Sequence, residues 1–156
     1  MPFEYVAFMT ELMAPQPYPR PPVFDPPRLA PLRKPIAEST IGLFSSAGVR
    51  RRTDPPLAVT NDLSYRLIDR DVPLSDLVLD HETPVRVWAQ EDLNVAFPRD
   101  RLAELEAEGT IGRLAPRAVS MVGSITRFTE LLQETVPAIK EEFDRQGVDL
   151  VFLFPF

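Results

Sequence analysis

The sequence predicts an α/β fold, with a mostly parallel sheet and flanking helices in a Rossmann-like arrangement. Residues 40–45 and 148–156 are almost continuously apolar, as is typical of strands buried on both faces. The clearest amphipathic pattern, residues 125–146, comes directly before the second run, with Gly147 between them. Helix, glycine and buried strand in this order form half of a parallel α/β unit.

Proline dominates the N-terminal part of the chain. Nine of the 18 prolines fall between Pro15 and Pro35, and each fixes φ and removes a backbone donor. We therefore expect residues 3–13 to form a short amphipathic helix and residues 15–35 to form an extended arm. The expected domains are an N-terminal segment, 1–35, and an α/β domain, 36–156.

Shorter elements fill the middle of the chain. The first strand should end in a tight turn of small residues, followed by a solvated loop that contains Arg50, Arg51 and Arg52. We expect short strands at 65–68 and 77–79, a helix at 99–108, and a strand or a turn at 119–123. The helix at 125–146 should be kinked at Pro137. Trp88 and the phenylalanines are expected in the core.

Charge and composition exclude several classes of protein. The net charge is 17 − 23 = −6, which argues against a nucleic-acid or anionic-membrane partner. The sequence has no cysteine and one histidine, so it predicts neither a disulfide nor a metal site. No apolar run reaches the length of a membrane span, and the N-terminus has no basic region of a signal peptide. We expect a cytoplasmic protein.

Four blocks of sequence together resemble a known family, and the resemblance as a whole covers residues from about Ile41 to Phe156. The blocks are DLSYRLI (62–68), LVLDH (77–81), DLNVAFPRDRL (92–102) and GTIGRLAP (109–116). Their order and spacing resemble selenoprotein B, the substrate-side subunit of the glycine, sarcosine, betaine and D-proline reductases. The glycine-rich turn that the family has after its first strand corresponds to residues 45–48 here, and Glu82 stands where the family often has a second His or Asp.

The resemblance implies an oxidoreductase that cleaves a carbon–nitrogen bond of a small amine or amino-acid-like substrate. A low-pKa selenolate is the nucleophile in such an enzyme, and thiol or selenol partner subunits regenerate it. The family places its selenocysteine just after a strand that resembles residues 148–156. Because UGA encodes selenocysteine, we expect this chain to be the part upstream of that residue, with its sheet incomplete at the C-terminus. We expect no cofactor in the chain itself, although the full-length parent would carry selenocysteine.

His81 is the candidate catalytic residue, as an acid, a base or a group that orients the selenolate. It follows a predicted strand, and active sites of parallel sheets lie beyond the carboxyl ends of strands. The alternative is a structural histidine that is hydrogen-bonded in the fold.

The candidate substrate-binding residues fall in three groups, and each has a structural alternative. Asp92 and Asn94 would bind a substrate amine or cap the helix at 99–108. Asp62, Ser64 and Arg66 alternate, and they would hold a carboxylate or line a solvent face. Ser45, Ser46 and Gly48 would present N–H groups to an anion or form only a tight turn.

Two other interpretations stay open. The chain could be a non-catalytic α/β binding or subunit-assembly domain, or, less well supported, an unrelated small α/β ligase or racemase-like domain. A homo-oligomer in which a second copy covers the C-terminal strand would also explain why that strand is so apolar.

Overall fold

The computed structural model describes residues 23–26 and 30–156. The helix expected at 3–13 and much of the proline-rich arm lie outside these residues. The strands are β1 (Thr40–Ser45), β2 (Val49–Arg51), β3 (Arg66–Asp69), β4 (Leu77–Leu79), β5 (Arg113–Leu114), β6 (Arg117–Ser120) and β7 (Leu150–Phe154). The α-helices are α1 (Arg86–Glu91), α2 (Arg99–Ala107), α3 (Phe128–Glu130) and α4 (Val136–Arg145), and 3₁₀ turns cover Ile36–Glu38, Leu74–Asp76 and Leu93–Val95.

The main sheet is built around β1, whose residues are nearly all buried. Strand β7 pairs with β1 in parallel from Ile41↔Leu150 to Ser45↔Phe154, and so occupies one edge of β1. Strands β5 and β6, also parallel to β1, occupy its other edge, and β3 adds to β6 in the antiparallel direction. The predicted mixed, mostly parallel α/β fold is confirmed. A separate antiparallel pair joins β2 to β4.

A break separates β5 from β6. Between the pairs Ile41↔Leu114 and Phe44↔Val119, β1 advances by three residues and its neighbour by five. Pro116 lies in this break, where a residue without an N–H group costs no ladder hydrogen bond. The extra residues turn the strand locally, as a bulge does.

The core lies on both faces of the sheet. One cluster packs α2 and the β2–β4 pair over one face and includes the fully buried side chains of Leu43, Ile68 and Phe97. The other cluster packs α4 over the opposite face through Ile139 and Phe143. Burial of such side chains supplies most of the stability of the fold.

The long amphipathic helix differs from its prediction. It starts at Phe128, and a π-helical segment, Leu131–Thr135, separates α3 from α4. Pro137 lies in the first turn of α4. Because proline has no N–H to donate to the preceding turn, the regular α-helical ladder cannot run through it, and the π-helical segment lies immediately before this position.

Two further predictions were wrong. Arg50 and Arg51 belong to β2 rather than to a solvated loop, and the Arg50 side chain is largely buried. Trp88 lies on α1 with 58% of its surface exposed, and Phe24 and Phe152 are exposed as well, so these three aromatic residues are not in the core. Strand β2 depends on pairing with β4 and on Asp80, thirty residues from Arg50, and no local pattern reveals these contacts.

Candidate functional site

Three strands end together at one edge of the sheet. Ser45 at the end of β1 lies opposite Ser120 of β6 and Phe154 of β7. The turn after β1 is tied to both neighbours, since the N–H of Ser46 donates to the carbonyl of Phe154 (3.2 Å) and the N–H of Gly48 donates to that of Met121 (2.8 Å). This edge is where parallel α/β folds bind ligands.

The hydrogen bonds of the turn after β1 are satisfied within the chain. The buried Ser45 hydroxyl donates to the carbonyl of Ala96 (2.7 Å) and accepts from the N–H of Ala47 (3.2 Å). The N–H of Val49 donates to Ser120 Oγ at 2.7 Å. An anion at this turn would therefore need the side chain of Ser46 rather than the backbone, and the predicted substrate-binding role of Ser45, Ser46 and Gly48 stays a prediction.

Gly48 has a structural reason to be glycine. Its φ of +64° is in the left-handed region, and a Cβ there would lie 2.8 Å from Val122 Cγ2. Any larger residue would therefore strain the turn and push the segment after β6 away.

His81 lies at the same edge and is half-buried. The backbone N–H of His81 donates to the carbonyl of Ala47 (3.3 Å). The imidazole ring contacts the ring of Phe156 edge-on, with centroids 6.1 Å apart. The Nδ1 atom is buried and has no hydrogen-bond partner among the described residues. Burial lowers the pKa of His81 below its usual value, so the ring is neutral at neutral pH and can accept a proton.

The residue before His81 anchors it. Asp80 Oδ2 accepts from Arg50 Nε (2.6 Å) and from the N–H of Leu57 (2.8 Å), and both charged side chains are largely buried. This pair joins β2, the end of β4 and the following loop. No local pattern predicts this pair, because Arg50 and Asp80 are thirty residues apart.

Asp92 and Asn94 form a cap before α2. Asp92 Oδ1 accepts from the N–H and from Nδ2 of Asn94, at 2.9 and 3.0 Å, and Asn94 Oδ1 accepts from the N–H of Asp100 at 3.2 Å. The capping alternative is therefore present in the structure. The N–H of Asn94 is the main cause that lowers the pKa of Asp92. Asp92 also lines a cavity of about 510 Å³ beside α1 and β4.

Asp62, Ser64 and Arg66 come together in one hydrogen-bonded loop. Asp62 Oδ1 accepts from the hydroxyl of Ser64 (2.6 Å), and Arg66 Nη1 donates to the same hydroxyl (3.1 Å). Burial raises the pKa of Asp62, but hydrogen bonds from Ser64 and Ala58 outweigh it and lower the net value. Because Arg66 is paired with Ser120, the loop lies at the same sheet edge as the end of β6. A carboxylate-binding role stays a prediction.

Two searches of the described residues gave negative results. Residues 23–26 and 30–156 contain no group of three or more His, Asp or Glu side chains placed to hold a metal ion. The same part of the chain contains no helix long and apolar enough to cross a membrane.

The chain was compared with known proteins. The model of the glycine/sarcosine/betaine reductase selenoprotein B family matches residues 8–155. D-proline reductase subunit gamma of Acetoanaerobium sticklandii is 30% identical over 132 residues, which are 85% of this chain and 54% of that protein. Glycine reductase complex component B subunit gamma of Carboxydothermus hydrogenoformans is 28% identical over 137 residues, which are 85% of this chain and 31% of that protein.

The chain thus spans about half or less of the length of these two relatives. No solved structure gives a significant match. The family match includes all seven strands of the structure and the residues gathered at the strand ends. The chain belongs to the glycine/sarcosine/betaine reductase selenoprotein B family.

Proposed function

We propose that this chain is the substrate-side part of a selenol- or thiol-dependent reductase, and that its redox residue lies outside these 156 residues. The family match over residues 8–155 carries this proposal. The chain has no cysteine, so a continuation of the polypeptide or a partner subunit must supply the nucleophile. Both relatives are subunits by name, which supports partner subunits here as well.

The proposed reaction is the reductive cleavage of a carbon–nitrogen bond in a small amine or amino-acid-like substrate. A selenolate or thiolate supplies the nucleophilic and redox chemistry. The overall balance needs a dithiol, which gives two electrons and two protons and becomes a disulfide. The substrate carbon gains a hydrogen, and the nitrogen leaves as the protonated amine.

Within this chain, His81 is the residue proposed to move or hold a proton. Its buried Nδ1 has no hydrogen-bond partner in the described part of the chain, and it lies beside the ends of β1 and β7. A neutral imidazole in this position can accept a proton or orient a nucleophile. The Asp80–Arg50 pair would hold its backbone in place.

The first test reads the gene onward in frame from the codon for Phe156. The proposal expects UGA followed by an open frame with a nearby cysteine, or a separate selenol- or thiol-bearing subunit. To include both cases, an antibody against this chain should be used on extracts of the source cells, and the captured complex analysed for selenium and reactive thiols. A captured complex that contains neither selenium nor a reactive thiol would overturn the proposal.

A second candidate function is a non-catalytic α/β binding or subunit-assembly domain, which the lack of cysteine favours. It expects a UAA or UAG codon, and a captured complex without selenium or a reactive thiol. The same two measurements therefore separate the two functions.

A further inference from the structure

The cavity beside α1 is lined by charged side chains of both signs and by apolar side chains. Its volume of about 510 Å³ lies within the usual range for small-molecule sites. Leu77, Leu79 and Leu93 contribute apolar surface to it, and Arg86 and Asp92 contribute opposite charges. Leu79 is only two residues before His81, so the cavity adjoins the segment that carries the candidate catalytic residue.

Arg86 has no anionic partner in the part of the chain that the structure describes. It is half-buried at the start of α1, and its Nε is buried without any hydrogen-bond acceptor among the described residues. It also forms no ion pair with a carboxylate of residues 23–26 or 30–156, whereas Arg50, Arg70, Arg99 and Arg117 all do. A buried donor without a partner indicates a missing acceptor, and a guanidinium fits a carboxylate through two parallel hydrogen bonds.

Asp92 has acceptor capacity left. Both hydrogen bonds from Asn94 go to Oδ1, and Oδ2 has no bond with another described residue. The bonds from Asn94 lower the pKa of Asp92 and keep its carboxylate ionised at neutral pH. Asp92 is exposed at the rim of the cavity, and an ionised carboxylate in this position suits an ammonium group.

We propose that this cavity binds a small zwitterion, with its carboxylate on Arg86, its ammonium on Asp92 and its carbon skeleton against the leucines. The assignment rests on the proposed function, since the substrates that name the family carry one carboxylate and one cationic nitrogen each. It adds Arg86, which no sequence pattern singled out, and it gives Asp92 a partner of opposite charge in the same site.

Other charged residues of the cavity do not fit these roles as well. Arg52 also lines it, but its Nε already donates to the carbonyl of Ser75 at 2.9 Å. Glu91 is the remaining carboxylate of the lining, and a Glu91→Gln variant therefore belongs in the test.

The test is calorimetric titration of the full chain with D-proline and with glycine betaine. Propionate serves as a ligand with the negative charge only, and tetramethylammonium as one with the positive charge only. Arg86→Gln should weaken binding of both zwitterions about tenfold or more, the size expected for a charge-assisted hydrogen bond, and Asp92→Asn should do the same for D-proline. Glycine betaine has no N–H to donate, so Asp92→Asn should weaken it less, through the loss of charge alone. Arg86→Gln should also weaken propionate, whereas Asp92→Asn should weaken tetramethylammonium and leave propionate unchanged.

Matched controls are Arg127→Gln and Asp144→Asn, which remove exposed charges paired only with Glu130 and Lys140. Both should bind like the unchanged chain. Circular dichroism checks the fold of each variant. If Arg86→Gln fails to fold, Arg86→Lys takes its place, and because it keeps the charge it should retain part of the affinity. Following the Arg86 Nε–H resonance during titration of the unchanged chain gives a readout without any substitution.

Three results would overturn the site: no zwitterion binding at millimolar concentrations, full affinity in Arg86→Gln, or loss of affinity in Glu91→Gln in place of Asp92→Asn. The proposed reductase function fails separately. If zwitterions bind through Arg86 and Asp92 but the captured complex has neither selenium nor a reactive thiol, the site stands and the reductase function does not. If the captured complex has selenium or a reactive thiol but zwitterions do not bind through Arg86 and Asp92, the reductase function stands without this site.

Discussion

The backbone N–H of Phe156 donates a hydrogen bond to the hydroxyl of Ser46 at 2.9 Å. This bond, together with that from the N–H of Ser46 to the carbonyl of Phe154, closes the turn after β1 against the segment after β7. The ring of Phe156 is thereby held against that of His81. One serine side chain thus connects the tight turn, the edge strand and the only histidine of the sequence.

Ser46→Ala should loosen this connection. Loss of the acceptor for Phe156 should lower the free energy of unfolding by about 0.5–1.5 kcal/mol, and amide exchange should become faster at Phe156 than within β7. Urea unfolding and hydrogen exchange measure the two effects. Ser75→Ala is the control, because Ser75 is exposed and its hydroxyl contacts only Asp76, at 3.4 Å. Equal effects of the two substitutions would contradict the role of Ser46.

Stability should depend on His81 below about pH 6.5. Burial lowers the pKa of folded His81 below its usual value of 6.5, so as the pH falls the unfolded chain takes up a proton first. The stability that neutral His81 contributes is present above pH 6.5, and it is lost as the pH falls through the lowered folded value. Relative to His81→Gln, the unchanged chain should therefore lose unfolding free energy as the pH falls below 6.5, and the difference between the two chains should not vary with pH above that value; urea unfolding at several pH values measures it.

The ring protons of His81 provide a direct check. Because the sequence has one histidine, its proton NMR signals need no assignment by mutation. They should titrate below pH 6.5 in the folded chain, and a midpoint at or above that value would refute the effect of burial.

Gly42→Ala should crowd the contact between β1 and α4. A Cβ at Gly42 would lie 2.8 Å from Phe143 Cε1 and 3.1 Å from Val148 Cγ1, both inside the usual contact distance. Overpacking of this kind costs about 1–3 kcal/mol of unfolding free energy. A double-mutant cycle is the control: Phe143→Leu should be less destabilising in the Gly42→Ala background than alone. Additive effects would show that the crowding lies elsewhere.

The sequence predicted the elements whose patterns are local. The strand at 40–45, the strand at 77–79 and the helix that starts at Arg99 match the structure closely, because continuous apolar runs and helical spacing follow from burial alone. Strand β2 was missed because its arginines are stabilised by pairing with β4 and by Asp80, thirty residues away.

The same distinction applies to the candidate site. Ser45 and Ser46 could be predicted to lie at the edge of the sheet, since ligand sites of parallel sheets lie beyond the carboxyl ends of the strands. His81 reaches the same edge for another reason: β4 pairs antiparallel with β2 outside the main sheet, and the backbone N–H of His81 donates to the carbonyl of Ala47. Arg86 could not be predicted, because a single arginine in a polar stretch has no spacing to interpret, and its significance comes from a buried Nε without a partner. The satisfied backbone of residues 46–49 also depends on tertiary contacts with β6 and β7.

Glu142→Ala should destabilise the contact between α4 and β6. Glu142 is fully buried, and its two carboxylate oxygens lie 2.6 Å from Arg117 Nη2 and from Arg145 Nη1. Gln146 reinforces the contact, since its Nε2 donates to Glu142 Oε1 (2.9 Å) and its Oε1 accepts from the N–H of Arg117 (2.8 Å). Removal of the carboxylate takes away the acceptor of Gln146 Nε2 and the negative charge that faces both arginines.

Because both arginine side chains are partly exposed and water can hydrate them, the expected loss is about 1–3 kcal/mol of unfolding free energy, below the cost of isolating a fully buried charge. The control is Glu141→Ala, one residue away on the exposed side of α4, where the nearest arginine nitrogen is 3.9 Å distant. Its effect should stay within about 0.5 kcal/mol, as for most surface substitutions. Urea unfolding of both variants compares them, and a Glu142→Ala variant as stable as Glu141→Ala would mean that α4 is held to β6 by its apolar face alone.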